Sequence, residues 1–465
     1  MRSFYLSAAH KSSGKTVVSL GLCAALKKRN LRVQAFKKGP DYIDPIWLTQ
    51  ASGNPCYNLD FYNMSEAEII QLYQEKISMA DVSIIEGNKG LYDGMNVAGG
   101  DANADLAKLL NIPVILVIDT VGITRGVAAL VKGYQDFDKQ VNIAGVILNK
   151  VAGDRHESKL TQAIEYYTDI KVLGSVRRSK ALIIDERHLG LMPANETPQS
   201  THFINRAAEL IADQVDVDKF LDLETKKPKV KSPICVNTNT NTNTNTNTNT
   251  NTKLTVAVAK DSSFGFYYQD DLDKFAQLGV KVCYFDALKD KCLPACDGLF
   301  IGGGFPEMQL PLLSANHALL NDIKTKIIQG LPSYAECGGL MYLTNKISIN
   351  GASYPMVGVI DADTQMTSKP IGRGYVQLAP LDAHPWKKVT DKINAHEFHY
   401  SKLENINAKT HYAFEVLRGV GVDNKRDGIV KYNLLASYTH LRNLAGNQWV
   451  AQFVDFIKTK KTKTL

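Results

Sequence analysis

Phe4-Tyr5-Leu6-Ser7-Ala8-Ala9-His10-Lys11-Ser12-Ser13-Gly14-Lys15-Thr16-Val17 runs from an apolar stretch through a polar, glycine-bearing loop into a second apolar stretch. Residues 4–8 read as a strand and residues 16–29 as a helix. Strand, loop and helix in that order form the context in which a phosphate-binding loop is credible. The loop amides of Lys11, Ser12, Ser13 and Gly14 and the helix N-terminus attract a polyphosphate. Lys15 brings a cation to the outer phosphates, and Thr16 offers a hydroxyl to Mg²⁺. The usual first glycine is Ala9 here, and Gly-Lys-Thr is common by chance, so an ordinary helix N-cap is the competing reading. The complete order of elements favours nucleotide binding.

Outward from the loop, short β-rich runs at 32–36, 82–86, 114–119 and 145–149 alternate with helix-like stretches at 102–110, 126–137 and 158–167. That rhythm predicts an α/β fold in which a parallel sheet is flanked by helices, with a ligand crevice at the carboxyl ends of the strands. Carboxylates at those ends suit a metal-nucleotide. Glu86 closes the apolar run 81–85 and is followed by Gly87-Asn88-Lys89-Gly90-Leu91-Tyr92-Asp93-Gly94, the place of a Walker B acid. Asp41 and Asp44 stand in Lys37-Lys38-Gly39-Pro40-Asp41-Tyr42-Ile43-Asp44-Pro45. Gly-Pro-Asp and Asp-Pro also form turns, and spacing alone leaves that alternative open. Asn149-Lys150, after a further strand, is placed to read a nucleotide base.

The chain has 465 residues. At about 150 residues per domain, that length predicts two to four domains. Hydrophobic residues at 44% and charged residues at 22% exclude a disordered or fibrous chain. The net charge of +7 favours acidic ligands only weakly. From Asn237 to Thr252 the sequence is eight Asn-Thr copies. With no apolar side chain to bury, the tract reads as a solvated spacer. The expected division is a nucleotide domain at 1–232, a linker at 233–252 and a second α/β domain at 253–465. A Lys/Thr-rich tail, 458–465, is expected to fray.

Seven cysteines, an odd number without paired metal-ligand spacing, argue against a disulfide scaffold or a zinc site. No apolar run approaches the ~20 residues of a membrane span. Removing residues 1–6 as a signal peptide would remove the first strand, so the expected location is cytoplasmic. Neither a nucleic acid nor a membrane partner is expected, and a homodimer is allowed.

In the second domain, Leu331-Pro332-Ser333-Tyr334-Ala335-Glu336-Cys337-Gly338-Gly339-Leu340-Met341-Tyr342 reads as strand, tight turn and helix. This is a nucleophile elbow with Cys in place of Ser. The glycines let backbone approach the attacked carbon, and a helix N-terminus is expected to lower the thiol pKa. A buried structural Cys is the alternative. The base should be a His. His440, in Ala436-Ser437-Tyr438-Thr439-His440-Leu441, follows an apolar strand late in the domain. His396 and His399, in His396-Glu397-Phe398-His399-Tyr400-Ser401, are rivals. Gly303 and Gly304, in the strand-end run Gly302 to Pro306, together with Gly338, are candidates for oxyanion-stabilising amides.

On these motifs the chain resembles the cobyrinic acid a,c-diamide synthase family over nearly its whole length. The pieces that carry the likeness are Ser12 to Thr16, Lys38 to Pro45, Glu86-Gly87 with Gly90 to Gly94, Ala335 to Tyr342 and His396 to Ser401. The resemblance implies a dethiobiotin-synthetase-like first domain and a class I glutamine amidotransferase second domain. ATP would lie on Gly14, Lys15 and Thr16, with Mg²⁺ on Thr16, Asp41 and Glu86. Asp41, Tyr42 and Asp44 would lie near the tetrapyrrole carboxylate being activated. Cys337 would hydrolyse L-glutamine, with His440 increasing its nucleophilicity. Relatives acting on siroheme or nickel-sirohydrochlorin share these motifs, and a partitioning or regulatory ATPase is the reading from another class. Many glutamine amidotransferases carry Glu two residues after the catalytic His. Here that residue is Arg442, which leaves the third member of a triad without a candidate.

Overall fold

The structure is a computed structural model that describes residues 2–179, 182, 186–187, 190–197, 199–225, 254–386 and 391–462. Two compact units divide the chain, Met1–Thr242 and Asn243–Leu465. The expected linker, 233–252, lies outside the described residues.

The first unit contains β1 (Arg2–Ala8), β2 (Val33–Lys38), β3 (Tyr57–Leu59), β4 (Val82–Glu86), β5 (Val114–Asp119), β6 (Ile143–Val151) and β7 (Lys171–Arg177), besides a small hairpin of β8 (Glu186–Arg187) and β9 (Gly190–Leu191). Strands one to seven make a single sheet in the order β3-β2-β4-β1-β5-β6-β7, and every pairing is parallel. A parallel sheet must be covered on both faces, so its strands read as continuous apolar runs. β2 and β4 are buried throughout, and β1 and β5 at all but one residue. On one side the helix Lys15–Lys28 packs against the helices Ile43–Ser52 and Ser200–Gln214. β1 lies between β4 and β5, which sets the loops after β1, β2 and β4 around one crevice.

The second unit contains β10 (Thr255–Ala259), β11 (Lys281–Phe285), β12 (Gly298–Ile301), β13 (Ser333–Glu336), β14 (Lys346–Ile349), β15 (Ala352–Pro355), β16 (Asp363–Met366), β17 (Gly372–Pro380), β18 (Ile393–His399), β19 (Ser401–Glu404), β20 (His411–Arg418), β21 (Arg426–Lys431) and β22 (Leu434–Ser437). The main sheet has the order β11-β10-β12-β13-β22-β21-β20-β17-β18. It is parallel from β11 to β22 and antiparallel beyond. The antiparallel half, and the separate sheet β15-β14-β16-β19, lie outside the repeating strand-helix rhythm read from the sequence.

Side chains alternate across the central strand β13. Ala335 joins one apolar cluster with Leu340 and Ile323, whereas Tyr334 joins the other with Phe300, Trp449 and Phe453. The closing helix Trp449–Thr462 covers that second face, inserting Val450, Phe453, Val454 and Ile457. The tail expected to fray from residue 458 is therefore helical to Thr462. Anchored by its buried first three turns, the helix simply continues into a polar end.

Trp449 is 1% exposed and touches the rings of Phe275, Phe300, Tyr334 and Phe453. Trp449→Ala is expected to destabilise the second unit by about 3–5 kcal/mol. The measurement is the urea midpoint at unchanged m-value.

Candidate active site

The loop after β1 enters the helix Lys15–Lys28 through Gly14, whose φ of +88° is left-handed. A Cβ at Gly14 would collide with Asn149 Nδ2, so this position needs glycine on two counts. Asn149 Nδ2 donates to Ser13 O (2.8 Å), and Lys150 Nζ reaches Ser12 O (3.1 Å) and Asp119 Oδ2 (2.7 Å). The pair expected to read a base thus braces the loop. Lys11 and Ser12 are exposed, and Ser13 is buried with its hydroxyl donating to His10 O (2.8 Å). Lys15 is buried and donates to Lys89 O (2.6 Å). Burial, followed by the Lys37 charge, lowers its pKa to about 8.

Glu86, fully buried at the end of β4, receives the Thr16 hydroxyl at 2.7 Å and the Lys37 ammonium at 2.9 Å, both on Oε1. Lys37 also donates to Asp44 and stands 4.0 Å from Asp41 Oδ2. Burial works against this ammonium, but Asp44, Glu86 and Asp41 together carry its pKa well above the usual value. Asp41 Oδ1 accepts from the amides of Ile43 (2.9 Å) and Asp44 (3.1 Å), so it also caps the helix Ile43–Ser52, as the turn reading expects. Burial, followed by Asp44, raises Asp41 to about 7. Tyr42 is buried between the two acids. Lys37 escaped the sequence reading. Its signal is a lysine inside the buried strand 33–38, where an unpaired cation is not tolerated.

Glu86 Oε2 is buried with no hydrogen-bond partner among the described residues. That orphaned carboxylate oxygen beside a threonine hydroxyl is a hard-oxygen pair of the kind Mg²⁺ takes up together with nucleotide phosphates. Lys37 links Asp41 to this pair, standing 4.0 Å from Asp41 Oδ2 and 2.9 Å from Glu86 Oε1. Among the described residues no group of three or more His, Cys, Asp or Glu could by itself hold a metal ion.

In the second unit Cys337 follows β13 with φ 46° and ψ −102°, the strained backbone of a nucleophile elbow. β13 and β22 are parallel neighbours with Glu336 opposite Ser437, and the Cys337 amide donates to Ser437 O (2.7 Å). The loop carrying His440 therefore leaves the sheet beside the elbow. The buried carboxylate of Asp427 holds that loop through the amides of Tyr438 (3.0 Å) and Thr439 (2.9 Å). The His440 ring packs on Gly303, where a Cβ would stand 2.5 Å from its Cε1. A Cβ on Gly338 would in turn stand 3.0 Å from Gly304 O and 3.1 Å from Gly304 N. Gly303, Gly304 and Gly338 are thus brought to the same place as His440.

Of the rival histidines, His396 stacks on His440 (centroids 5.0 Å apart) and its carbonyl accepts from the His440 amide (2.9 Å). Burial, then the charges of His440 and Arg442, hold its pKa well below the usual value. His399 stacks on Tyr438 at 3.8 Å. The Cys337 Sγ approaches Phe398 O at 3.7 Å. The expected lowering of the thiol pKa is not found: burial, helped by Glu307, pushes it up, and the helix after it, Gly338–Leu343, has only six residues to oppose that. Arg442 is buried, donates from Nε to Asp270 Oδ2 (3.0 Å) and lies over the Tyr268 ring. The carboxylate beside His440 is instead Glu336, with Oε2 3.3 Å from Nδ1. Sequence reasoning passed over Glu336. Its signal is a lone charged residue in a short central strand that is buried throughout.

A phosphate-loop unit followed by a unit with an elbow cysteine and a nearby histidine fits a glutamine-hydrolysing amide ligase, the class that its relatives establish. Residues 8–191 match the CobQ/CobB/MinD/ParA nucleotide binding domain, and residues 255–448 the CobB/CobQ-like glutamine amidotransferase domain. The cobyrinate a,c-diamide synthase of Magnetococcus marinus is 41% identical over 97% of this chain and 96% of its own length. That of Methanosarcina barkeri is 39% identical over 97% and 94%, and that of Caldanaerobacter subterraneus 37% over 98% of each. The chain belongs to the cobyrinate a,c-diamide synthase family. None of its described helices is long and apolar enough to cross a membrane.

Gly303→Ala displaces the His440 ring, and a misplacement of about 1 Å can cost about 10²-fold. Glutamine-dependent amide formation should fall by about that factor while the rate with free ammonia stays unchanged, as read by paired assays on the two nitrogen sources.

Proposed function

We propose that the chain uses ATP and L-glutamine to amidate the a and c acetate carboxylates of a cobyrinic acid-type tetrapyrrole. The observation that carries this reading is the end-to-end likeness to enzymes named cobyrinate a,c-diamide synthase, supported by the Thr16–Glu86 and Glu336–His440 contacts.

A carboxylate resists amination because its leaving group would be oxide. Transfer of the ATP γ-phosphoryl group to a substrate carboxylate oxygen gives an acyl phosphate and ADP. Ammonia then attacks the acyl carbon, the C–O bond breaks, and phosphate leaves the amide behind. Lys11, Ser12, Ser13 and Gly14 cradle the phosphates, and Lys15 neutralises charge on the outer ones. Asp41, Tyr42 and Asp44 face the carboxylate undergoing activation, and Lys37 keeps Asp44 and Glu86 in place. Thr16 and Glu86 would hold Mg²⁺ with the nucleotide, Asp41 lying beyond Lys37. When bound, the ion offsets negative charge on the β- and γ-phosphates.

In the second unit Cys337 Sγ attacks the glutamine carboxamide carbon while His440 takes the thiol proton. This transfer suits a thiol that burial keeps protonated. The tetrahedral oxyanion is met by amides of Gly303, Gly304 and Gly338. His440 returns the proton to the departing ammonia, leaving a thioester that water hydrolyses to glutamate. The ammonia is the amine that the acyl phosphate consumes.

Purified protein with ATP, Mg²⁺, glutamine and cobyrinic acid should yield the diamide by mass spectrometry. Siroheme and nickel-sirohydrochlorin serve as parallel substrates, and conversion of either instead of cobyrinic acid would overturn the substrate assignment. Cys337→Ala should lose glutamine-dependent turnover by at least about 10³-fold yet still form amide from ammonia. Lys15→Ala should lose both reactions by about 10²-fold or more.

A further inference from the structure

We propose that Glu336 is the positioning carboxylate of the glutaminase site, acting on glutamine through His440. The proposal rests on the reading of Cys337 and His440 as nucleophile and base. A histidine that takes a proton from a thiol through one ring nitrogen must keep the proton on the other. A fixed acceptor opposite Nδ1 enforces that tautomer and steadies the imidazolium that follows. Glu336 Oε2 lies 3.3 Å from His440 Nδ1, with each side chain 3% exposed. The carboxylate is itself anchored, since Oε1 accepts from Tyr334 Oη (2.6 Å) and from the Leu441 amide (2.9 Å). One oxygen thus fixes the acid to its own strand and to the backbone next to His440, leaving the other for the ring.

Strand parity makes this possible. Glu336 projects from the same face of β13 as Tyr334, and the parallel register sets it opposite Ser437, three residues before His440. The residue two beyond the histidine cannot supply the acid, because Arg442 is directed to Asp270 and stacked on Tyr268. His396, stacked on His440, is kept neutral by burial and offers no charge. In the reaction Glu336 acts only as the acceptor for Nδ1–H. The Cys337 proton moves to His440 Nε2 as the C–S bond forms, then to the nitrogen as the C–N bond breaks, while Nδ1–H remains bonded to Glu336. In thioester hydrolysis His440 Nε2 takes a proton from water as the C–O bond forms and gives it to Cys337 Sγ as the C–S bond breaks.

The test is a double-mutant cycle with Glu336→Gln and His440→Ala, read on glutamine-dependent and ammonia-dependent amide formation. Glu336→Gln preserves an oxygen for Leu441 and Tyr334 and removes the charge. Its glutamine-dependent kcat is expected to fall about 10²- to 10⁴-fold, with KM for glutamine within about threefold and the ammonia reaction at the wild-type rate. In the His440→Ala background the same change should cost nothing further, because groups acting as a unit are not additive. A kcat within about threefold of wild type, a loss expressed in KM, or an equal loss in both backgrounds would each overturn the proposal. If Glu336→Gln does not fold, Glu336→Asp, which keeps the charge and shortens its reach to Nδ1, takes its place, and a glutamine-dependent kcat that falls in the wild-type background but not in His440→Ala is then the expected result. Full glutamine-dependent turnover in Cys337→Ala or His440→Ala would instead overturn the nucleophile and base reading, separately from Glu336.

Discussion

Each sheet ends a central parallel strand in a carboxylate shut away from water. Glu86 closes β4 with no exposed surface, and Glu336 closes β13 at 3%. An ionised carboxylate in such a place costs several kcal/mol unless charge and hydrogen bonds surround it. In both cases the surroundings include the residues to which the proposed reaction gives a role. Glu86 gathers Thr16 from the phosphate loop and Lys37 from the next strand. Glu336 gathers Tyr334, the Leu441 amide and His440. The need to satisfy one acid thereby fixes the geometry of each half-site.

The two halves reach similar ends by different local means. In the first unit Lys37 binds Asp44 and Glu86, so the acids are organised by a cation belonging to the chain itself. Among the described residues of the second unit no lysine or arginine is paired with the acid in this way. Hydroxyl and amide donors take one oxygen, and an imidazole faces the other. The difference matches the work proposed for each place. Phosphoryl transfer handles large negative charge and benefits from positive groups nearby. Thioester formation needs a proton to be taken up and given back.

Much of this was legible in the sequence because it is local. Gly14, Lys15 and Thr16, Glu86 at its strand end, and the Cys337 elbow are each set by a few consecutive residues. Periodicity located β4 and β5 and the helix Gly126–Phe137 at their observed bounds. What escaped was pairing across the chain. Lys37 meets Glu86 through strand order, and Glu336 meets His440 across 104 residues through the β13–β22 register. No short-range pattern encodes either contact. The thiol pKa was misread for a related reason: burial at Cys337 is set by β18 and the glycine loop, neither visible from the elbow itself.

The buried thiol has a further chemical meaning. Oxidation of cysteine to sulfenic acid proceeds through an exposed thiolate. Cys337 is 6% exposed and held in its protonated form by burial. Both conditions disfavour that oxidation at Cys337, which among the described residues is a free thiol.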